Sequence, residues 1–114
     1  LKTSIFLIVG FNLAFNFFLL LWSEIMLTEI FIDVRTPEEI EIASIDSTYH
    51  IERQDILNVK EIASFEDKIY LFCRSGVRSE NAKNILLNAG YTRVLNIGGF
   101  EEASEYIKKK RKNP

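Results

Sequence analysis

The chain has 114 residues, which is enough for one small domain and too few for two. Residues 26–107 carry 8 basic and 15 acidic side chains, a net charge of −7, and such an acidic body argues against a nucleic acid as partner. Cys73 is the only cysteine in the sequence, so no disulfide can form within the chain and any thiol chemistry falls to this residue.

An uncharged, mostly apolar run occupies residues 5–22, with Lys2 just before it. Its length is just enough to span a bilayer as one helix, and a positive amino end kept inside would place the rest of the chain outside. We therefore expect residues 1–25 to be a signal peptide or a membrane anchor, and the domain of residues 26–114 to be periplasmic or otherwise outside the cytoplasm. The alternative is a cytoplasmic protein whose translation starts at Met26.

The first strand is predicted over residues 29–34, because its near-continuous apolar run is typical of a strand buried on both faces. A helix should begin directly after it. Thr36 can cap that helix, Pro37 suits its first position, and Glu39 completes the spacing of a capping box with Thr36.

The middle of the chain is weakly patterned. Residues 44–56 show no clear period, although residues 49–51 are predicted to form a short strand. Residues 59–65 are predicted to form one or two helical turns. His50 is the only histidine in the sequence, and we expect it at the surface or at a sheet edge rather than in catalysis.

The second clear strand covers residues 68–73 and runs apolar straight into Cys73. A helix is predicted over residues 77–89, with Gly90 as its C-terminal stop. Residues at positions i, i+3, i+4 and i+7 of that helix should form its buried stripe. They are Ala82, Ile85, Leu86 and Ala89.

A third strand is predicted over residues 92–97, and a last helix over residues 100–110 with Phe100, Ala103 and Ile107 on one face. Strands that alternate with helices predict an α/β domain with a small, mostly parallel central sheet flanked by helices. Together with residues 5–22, this predicts an N-terminal hydrophobic helix followed by an α/β domain. Ligands of such sheets bind at the carboxyl ends of the strands, which is where Cys73 lies.

Residues 73–79, Cys-Arg-Ser-Gly-Val-Arg-Ser, link the second strand to the predicted helix. The helix start offers unpaired N–H groups, and Gly76 lets the backbone turn so that successive amides face inward. Together with Arg74 and Arg78, these groups should favour the thiolate of Cys73 and lower its pKa. A lone cysteine after an apolar strand is more often an inert buried residue, but an inert sulfur has no use for this loop.

Four stretches together resemble the rhodanese family. They are residues 32–39 (Ile-Asp-Val-Arg-Thr-Pro-Glu-Glu), residues 73–79, Gly90-Tyr91 and Gly98-Gly99. Their order and spacing are similar to a single-domain rhodanese over residues 28–107, and most similar to the exported rhodaneses of the phage-shock system. The resemblance implies a rhodanese-like fold.

The resemblance also implies a thiosulfate sulfurtransferase whose catalytic residue is Cys73. Cys73 would take the outer sulfur of thiosulfate, or of a similar small anionic donor, as a persulfide and pass it to cyanide or to a thiol. The backbone amides of residues 74–78 would hold that persulfide, and Arg74 and Arg78 would hold the sulfonate oxygens. The substrate-binding set is therefore Arg74, Ser75, Gly76, Val77 and Arg78. No cofactor and no metal are expected, and contact with a membrane is expected only through residues 5–22.

Two further residues match the family's Asp-Val-Arg stretch. Asp33 and Arg35 are expected to support the site structurally, with Arg35 paired to Glu38 or Glu39. The chain departs from the family at residues 44–48, where the family's histidine and glycine are absent. We expect this departure to change one wall of the substrate pocket.

Two other functions stay open on the sequence alone. Rhodanese-fold phosphatases have a longer loop between the cysteine and the arginine, whereas four residues separate Cys73 from Arg78. This shorter spacing favours sulfur over a tetrahedral phosphate. Other rhodanese domains lack the cysteine and are non-catalytic binding modules, and the loop around Cys73 argues against that function here.

Overall fold

The computed structural model describes residues 14, 16, 17 and 28–113. The predicted signal peptide or anchor of residues 1–25 therefore lies outside the described residues, apart from three helical positions. Among the residues that are described, no helix is both long enough and apolar enough to cross a membrane.

The described part of the chain contains a four-stranded sheet in the order β2-β1-β3-β4, and every strand pair is parallel. The strands are β1 (Glu29–Asp33), β2 (Tyr49–His50), β3 (Lys68–Phe72) and β4 (Arg93–Asn96). The predicted small parallel sheet is thus confirmed, with strands one or two residues shorter than their apolar runs. β2 and β4 form the two edges.

Two α-helices and one 3-10 helix connect these strands, and a further α-helix follows β4. They are α1 (Pro37–Ile42), the 3-10 helix (Arg53–Glu61), α2 (Val77–Ala89) and α3 (Phe100–Lys112). The predicted bounds of α2 are confirmed, and the capping box of α1 is present.

Two helical predictions were wrong in detail. The prediction of helical turns at residues 59–65 was misplaced, because Ile56 and Val59 fix a 3-10 helix further upstream by packing at the three-residue spacing of that helix. In α2 the buried positions are Ser79, Ala82 and Leu86 (with Ile85 half-buried), whereas Ala89 is the last helical residue and is exposed.

The sheet is buried on both faces, which explains the unbroken apolar runs of β1 and β3. On one face, Ile30, Ile32 and Leu71 pack with α2 and the 3-10 helix. On the other face, Phe72 packs with α3. This layering holds the carboxyl ends of β1, β3 and β4 at one edge of the sheet, and the candidate site is built there.

Candidate active site

The loop that carries Cys73 is joined to the loop that follows β4. The backbone N–H of Cys73 donates to the carbonyl oxygen of Gly98 at 3.2 Å, and Ser75 and Gly99 form an isolated antiparallel bridge. The predicted position of Cys73 at the carboxyl end of a buried strand is therefore confirmed. Two loops from neighbouring strands together enclose the sulfur.

Glycine is required at two points of this arrangement. Gly76 has φ of +96°, a left-handed conformation that side chains disfavour. At Gly99, an added Cβ would lie only 2.6 Å from the carbonyl oxygen of Arg74. The two glycines thus let the two backbones approach closely enough to enclose the cysteine.

The sulfur of Cys73 is surrounded by hydrogen-bond donors. The backbone N–H of Gly76 donates to Sγ at 3.0 Å, and the Ser79 hydroxyl oxygen lies 3.4 Å from Sγ. Burial of the side chain alone would raise the pKa of Cys73. Hydrogen bonds from the Ser79 hydroxyl and from the amides of Ser79, Ser75 and Gly76 outweigh the burial, and the pKa of the thiol is lowered below its ordinary value. The site therefore favours a nucleophilic thiolate.

Asn96, at the end of β4, braces this loop and was missed by the sequence analysis. Its Nδ2 donates to the Gly76 carbonyl and to Glu80 Oε2, both at 2.9 Å. Its Oδ1 accepts from the Gly98 N–H at 3.0 Å and lies 2.7 Å from the Ser79 hydroxyl, whose single hydrogen can be donated either to this oxygen or to the Cys73 sulfur. The one available signal was a polar residue at the carboxyl end of a predicted strand.

The guanidinium of Arg78 forms an ion pair with Glu39. Its Nη1 and Nη2 donate to the two carboxylate oxygens of Glu39 at 2.7 and 2.9 Å. The hydrogen bonds from Arg78, together with those from Thr36, lower the pKa of Glu39 to about 2, so the carboxylate stays charged at ordinary pH. The contact with sulfonate oxygens that was predicted for Arg78 would therefore be made by an arginine that is already paired with Glu39.

Arg35 was predicted to pair with Glu38 or Glu39, and this was wrong. Its guanidinium instead binds both oxygens of Asp33, with the shortest contact at 2.7 Å, because the buried carboxylate two residues earlier faces the same side. Arg35 also donates to the Ala43 carbonyl at 2.8 Å and lies 4.3 Å from the centre of the Phe100 ring. Asp33 and Arg35 thus tie the ends of α1 and α3 to the sheet.

A cleft of about 470 Å³ opens beside the reactive loop, between α1 and the start of α3. Arg74 lies on this cleft with its side chain exposed, and no described residue pairs with it. The lining consists of Arg35, Glu39, Ile42, Ala43, Arg74, Gly99, Phe100, Glu101 and Glu102.

The predicted wall at residues 44–48 is not part of that cleft. Ser44, Ile45 and Asp46 line a separate cavity against α3, because the chain has already turned away from the loop at Ala43. His50 lies exposed on the edge strand β2, where its Nε2 is 2.7 Å from the Arg35 carbonyl oxygen, so its predicted position at the surface and at a sheet edge is confirmed. Within the described residues, no group of three or more His, Cys, Asp or Glu side chains could hold a metal ion.

Comparisons with known proteins place the chain among rhodanese-like domains. Residues 20–106 match the family described as Rhodanese-like domain. A thiosulfate sulfurtransferase GlpE of Vibrio cholerae is 31% identical over 71 residues, which cover 61% of this chain and 67% of that protein. A putative mitochondrial thiosulfate sulfurtransferase of Schizosaccharomyces pombe is 35% identical over 95 residues, covering 71% and 67%.

A solved structure of a rhodanese with anions from E. coli is also similar to this chain. It superposes with a TM-score of 0.61 at 30% identity, over 66% of this chain and 91% of that one. The particular resemblance to phage-shock rhodaneses stays a prediction.

Proposed function

This chain belongs to the rhodanese-like domain family, and we propose that it is a sulfurtransferase that carries a sulfane sulfur as a persulfide on Cys73. The observation that carries the proposal is the sulfur itself, which accepts the Gly76 N–H at 3.0 Å in a loop of inward-facing amides. Relatives about 30% identical that are named thiosulfate sulfurtransferases support the same activity.

In the first half-reaction, the Cys73 thiolate attacks the outer sulfur of thiosulfate. The Sγ–S bond forms as the S–S bond of the donor breaks, and sulfite leaves with the electron pair. No separate base is needed, because the attacking group is already a thiolate. The amides of residues 74–78 then hold the negative outer sulfur of the persulfide.

In the second half-reaction, a thiophilic acceptor attacks the outer sulfur and regenerates the Cys73 thiolate. Cyanide leaves as thiocyanate in the assay, and a thiol leaves as a persulfide. Cys73 is fully buried in the structure, so we propose that the loop opens locally to admit both partners. Arg74, whose side chain is exposed at the cleft, is the residue we propose to meet the anionic donor first.

Mass spectrometry after incubation with thiosulfate tests the proposal. We expect the wild-type chain to gain one sulfur atom and to lose it again on addition of cyanide, whereas Cys73→Ser gains none. Cys73 is the only cysteine, so the added sulfur has no other thiol to occupy. If the wild-type chain gains no sulfur, the domain is instead a non-catalytic binding module.

We also propose that residues 1–25 direct the domain out of the cytoplasm, because residues 5–22 are uncharged and mostly apolar. Fractionating the cells and sequencing the amino terminus of the mature protein test this. Recovery of the chain only in the cytoplasm, starting at Met26, would overturn it.

A further inference from the structure

We propose that Glu39 determines donor specificity: by cancelling the charge of Arg78, it makes the cleft favour a singly charged organic thiosulfonate over doubly charged thiosulfate. This inference rests on the proposed sulfur transfer and goes beyond it, because it identifies the chemical class of the donor. Three features of the described residues support it, namely the position of Glu39, the charges around the cleft, and the size and polarity of the cleft.

Glu39 stands between Arg78 and the cleft. Its carboxylate lines the cleft together with Arg74, whereas Arg78 is not among the lining residues. One N–H of each Arg78 Nη donates to a Glu39 oxygen, at 2.7 and 2.9 Å, so the two side chains form a bidentate ion pair. Glu39 is also fixed from its own helix, because the Thr36 N–H and hydroxyl both lie 3.1 Å from Oε1. An anion in the cleft therefore meets a neutral pair rather than a free arginine.

The remaining charges of the cleft do not favour a dianion. Arg35 is neutralised by Asp33, with its shortest contact at 2.7 Å. Arg74 is then the one lining cation without a partner in the described structure, and Glu101 and Glu102 line the same cleft. Each additional negative charge on the donor gains from one arginine and is repelled by two carboxylates, so the penalty grows with donor charge.

The cleft also suits an organic group. Its volume of about 470 Å³ lies in the range of sites for organic ligands, about 300–1,000 Å³, and is far larger than an inorganic ion needs. Ile42 lies on the cleft wall with 87% of its surface exposed, and Ala43 and the half-buried ring of Phe100 lie beside it. An apolar substituent on the donor would cover this surface.

The chemistry of such a donor balances without another reactant. The Cys73 thiolate attacks the terminal sulfur of the thiosulfonate, and an Sγ–S bond forms. The bond between the terminal sulfur and the sulfonyl sulfur breaks, and a sulfinate leaves with the electron pair. The total charge is unchanged, and no proton, oxidant or reductant is consumed.

The charge argument is tested with Glu39→Gln and two small donors, thiosulfate and methanethiosulfonate, with cyanide as acceptor. Glutamine keeps the capping-box acceptor for Thr36 and removes only the charge. Because the two donors release different leaving groups, the readout is the change between variants in the ratio of their kcat/KM values. Glu38→Gln is the matched control, since Glu38 is exposed on the same helix and does not line the cleft.

We expect Glu39→Gln to raise the ratio of thiosulfate to methanethiosulfonate by about threefold to tenfold, because the dianion gains twice from the lost repulsion. Glu38→Gln should change that ratio less than about twofold, as expected for an exposed, screened charge. An unchanged or lower ratio in Glu39→Gln, or an equal rise in Glu38→Gln, would overturn the proposal.

The apolar argument is tested with benzenethiosulfonate and methanethiosulfonate, which carry the same charge. Ile42→Ser should lower the preference for the aromatic donor by about threefold, because it removes apolar wall from the cleft. Because Ile42 is 87% exposed, we expect this substitution to leave the fold unchanged. An unchanged preference would remove the cleft as the site of the organic group. Gain of sulfur from saturating thiosulfate, measured by mass spectrometry in the same variants, separates failure of this inference from failure of sulfur transfer itself.

Discussion

The reactive loop and the wall of the cleft differ in how they are built. The loop has a fully buried cysteine, and its backbone amides and the Asn96 side chain supply the contacts that define it. The cleft wall at α1 has no buried residue, and Ile42 at its end is almost wholly exposed. The proposed sulfur transfer thus depends on backbone groups that tolerate little change. The proposed donor selectivity depends on side chains of a helix with no buried residue, which can change with little effect on the fold.

We expect the largest effect from a substitution in the reactive loop, where the backbone N–H of Gly76 binds the sulfur. Gly76→Ala forces a side chain into a left-handed conformation, which costs about 1–3 kcal/mol and turns the N–H away from Sγ. We expect sulfur transfer from thiosulfate to fall by at least about a hundredfold, the scale of losing one preorganised donor. Steady-state kinetics with cyanide as acceptor measure it.

Gly90→Ala is the matched control for that loss. Gly90 has φ of +111° and an added Cβ would meet only the Phe65 ring, at 3.5 Å, far from the loop. Both variants should lose similar stability in urea, but only Gly76→Ala should lose activity. Equal activity losses in the two variants would show that strain alone, and not the direction of one amide, controls the rate.

The next largest effect concerns the ion pair of Arg78 and Glu39, which links the reactive loop to the wall of the cleft. Arg78→Ala should weaken thiosulfate use by about tenfold to a hundredfold, because it leaves the charge of Glu39 unopposed beside the anion site. Adding Glu39→Gln to Arg78→Ala should restore most of the lost kcat/KM. If the double variant is as poor as Arg78→Ala, Arg78 contacts the donor directly, and unchanged kinetics in the single variant would remove Arg78 from the site.

The smallest effect concerns the Ser79 hydroxyl, the side chain that lies beside the Cys73 sulfur among the backbone amides of the loop. Its hydrogen bond lowers the pKa of Cys73, so Ser79→Ala should shift the midpoint of Cys73 alkylation to higher pH. The rate of reaction with iodoacetamide across pH measures this at a single thiol. Ser104→Ala on α3 should leave the midpoint in place, and an unshifted midpoint in Ser79→Ala would mean that the amides alone set the thiol pKa.

Local sequence signals predicted the reactive loop well, but they did not predict the long-range side-chain contacts that hold it in place. The strand, the glycine turn and the start of α2 follow from neighbouring residues, and the structure has them at the predicted positions. The pair of Arg78 with Glu39 joins residues 39 positions apart, and Asn96 reaches Gly76 across 20. No periodicity encodes such contacts. Arg35 was expected to pair with Glu38 or Glu39 of α1. Its actual partner, Asp33, lies only two residues earlier, and no sequence pattern distinguished it from the two glutamates.

The burial of Cys73 also bears on how long the protein survives in an oxidising environment. A low-pKa thiolate is the form of cysteine that attacks peroxide and is oxidised by it, and this oxidation becomes faster with exposure. The sequence has no second cysteine that could trap a sulfenic acid as a disulfide, so further oxidation would be permanent. Because Cys73 is fully buried in the structure, its sulfur is shielded from oxidants by the same loop that activates it as a nucleophile.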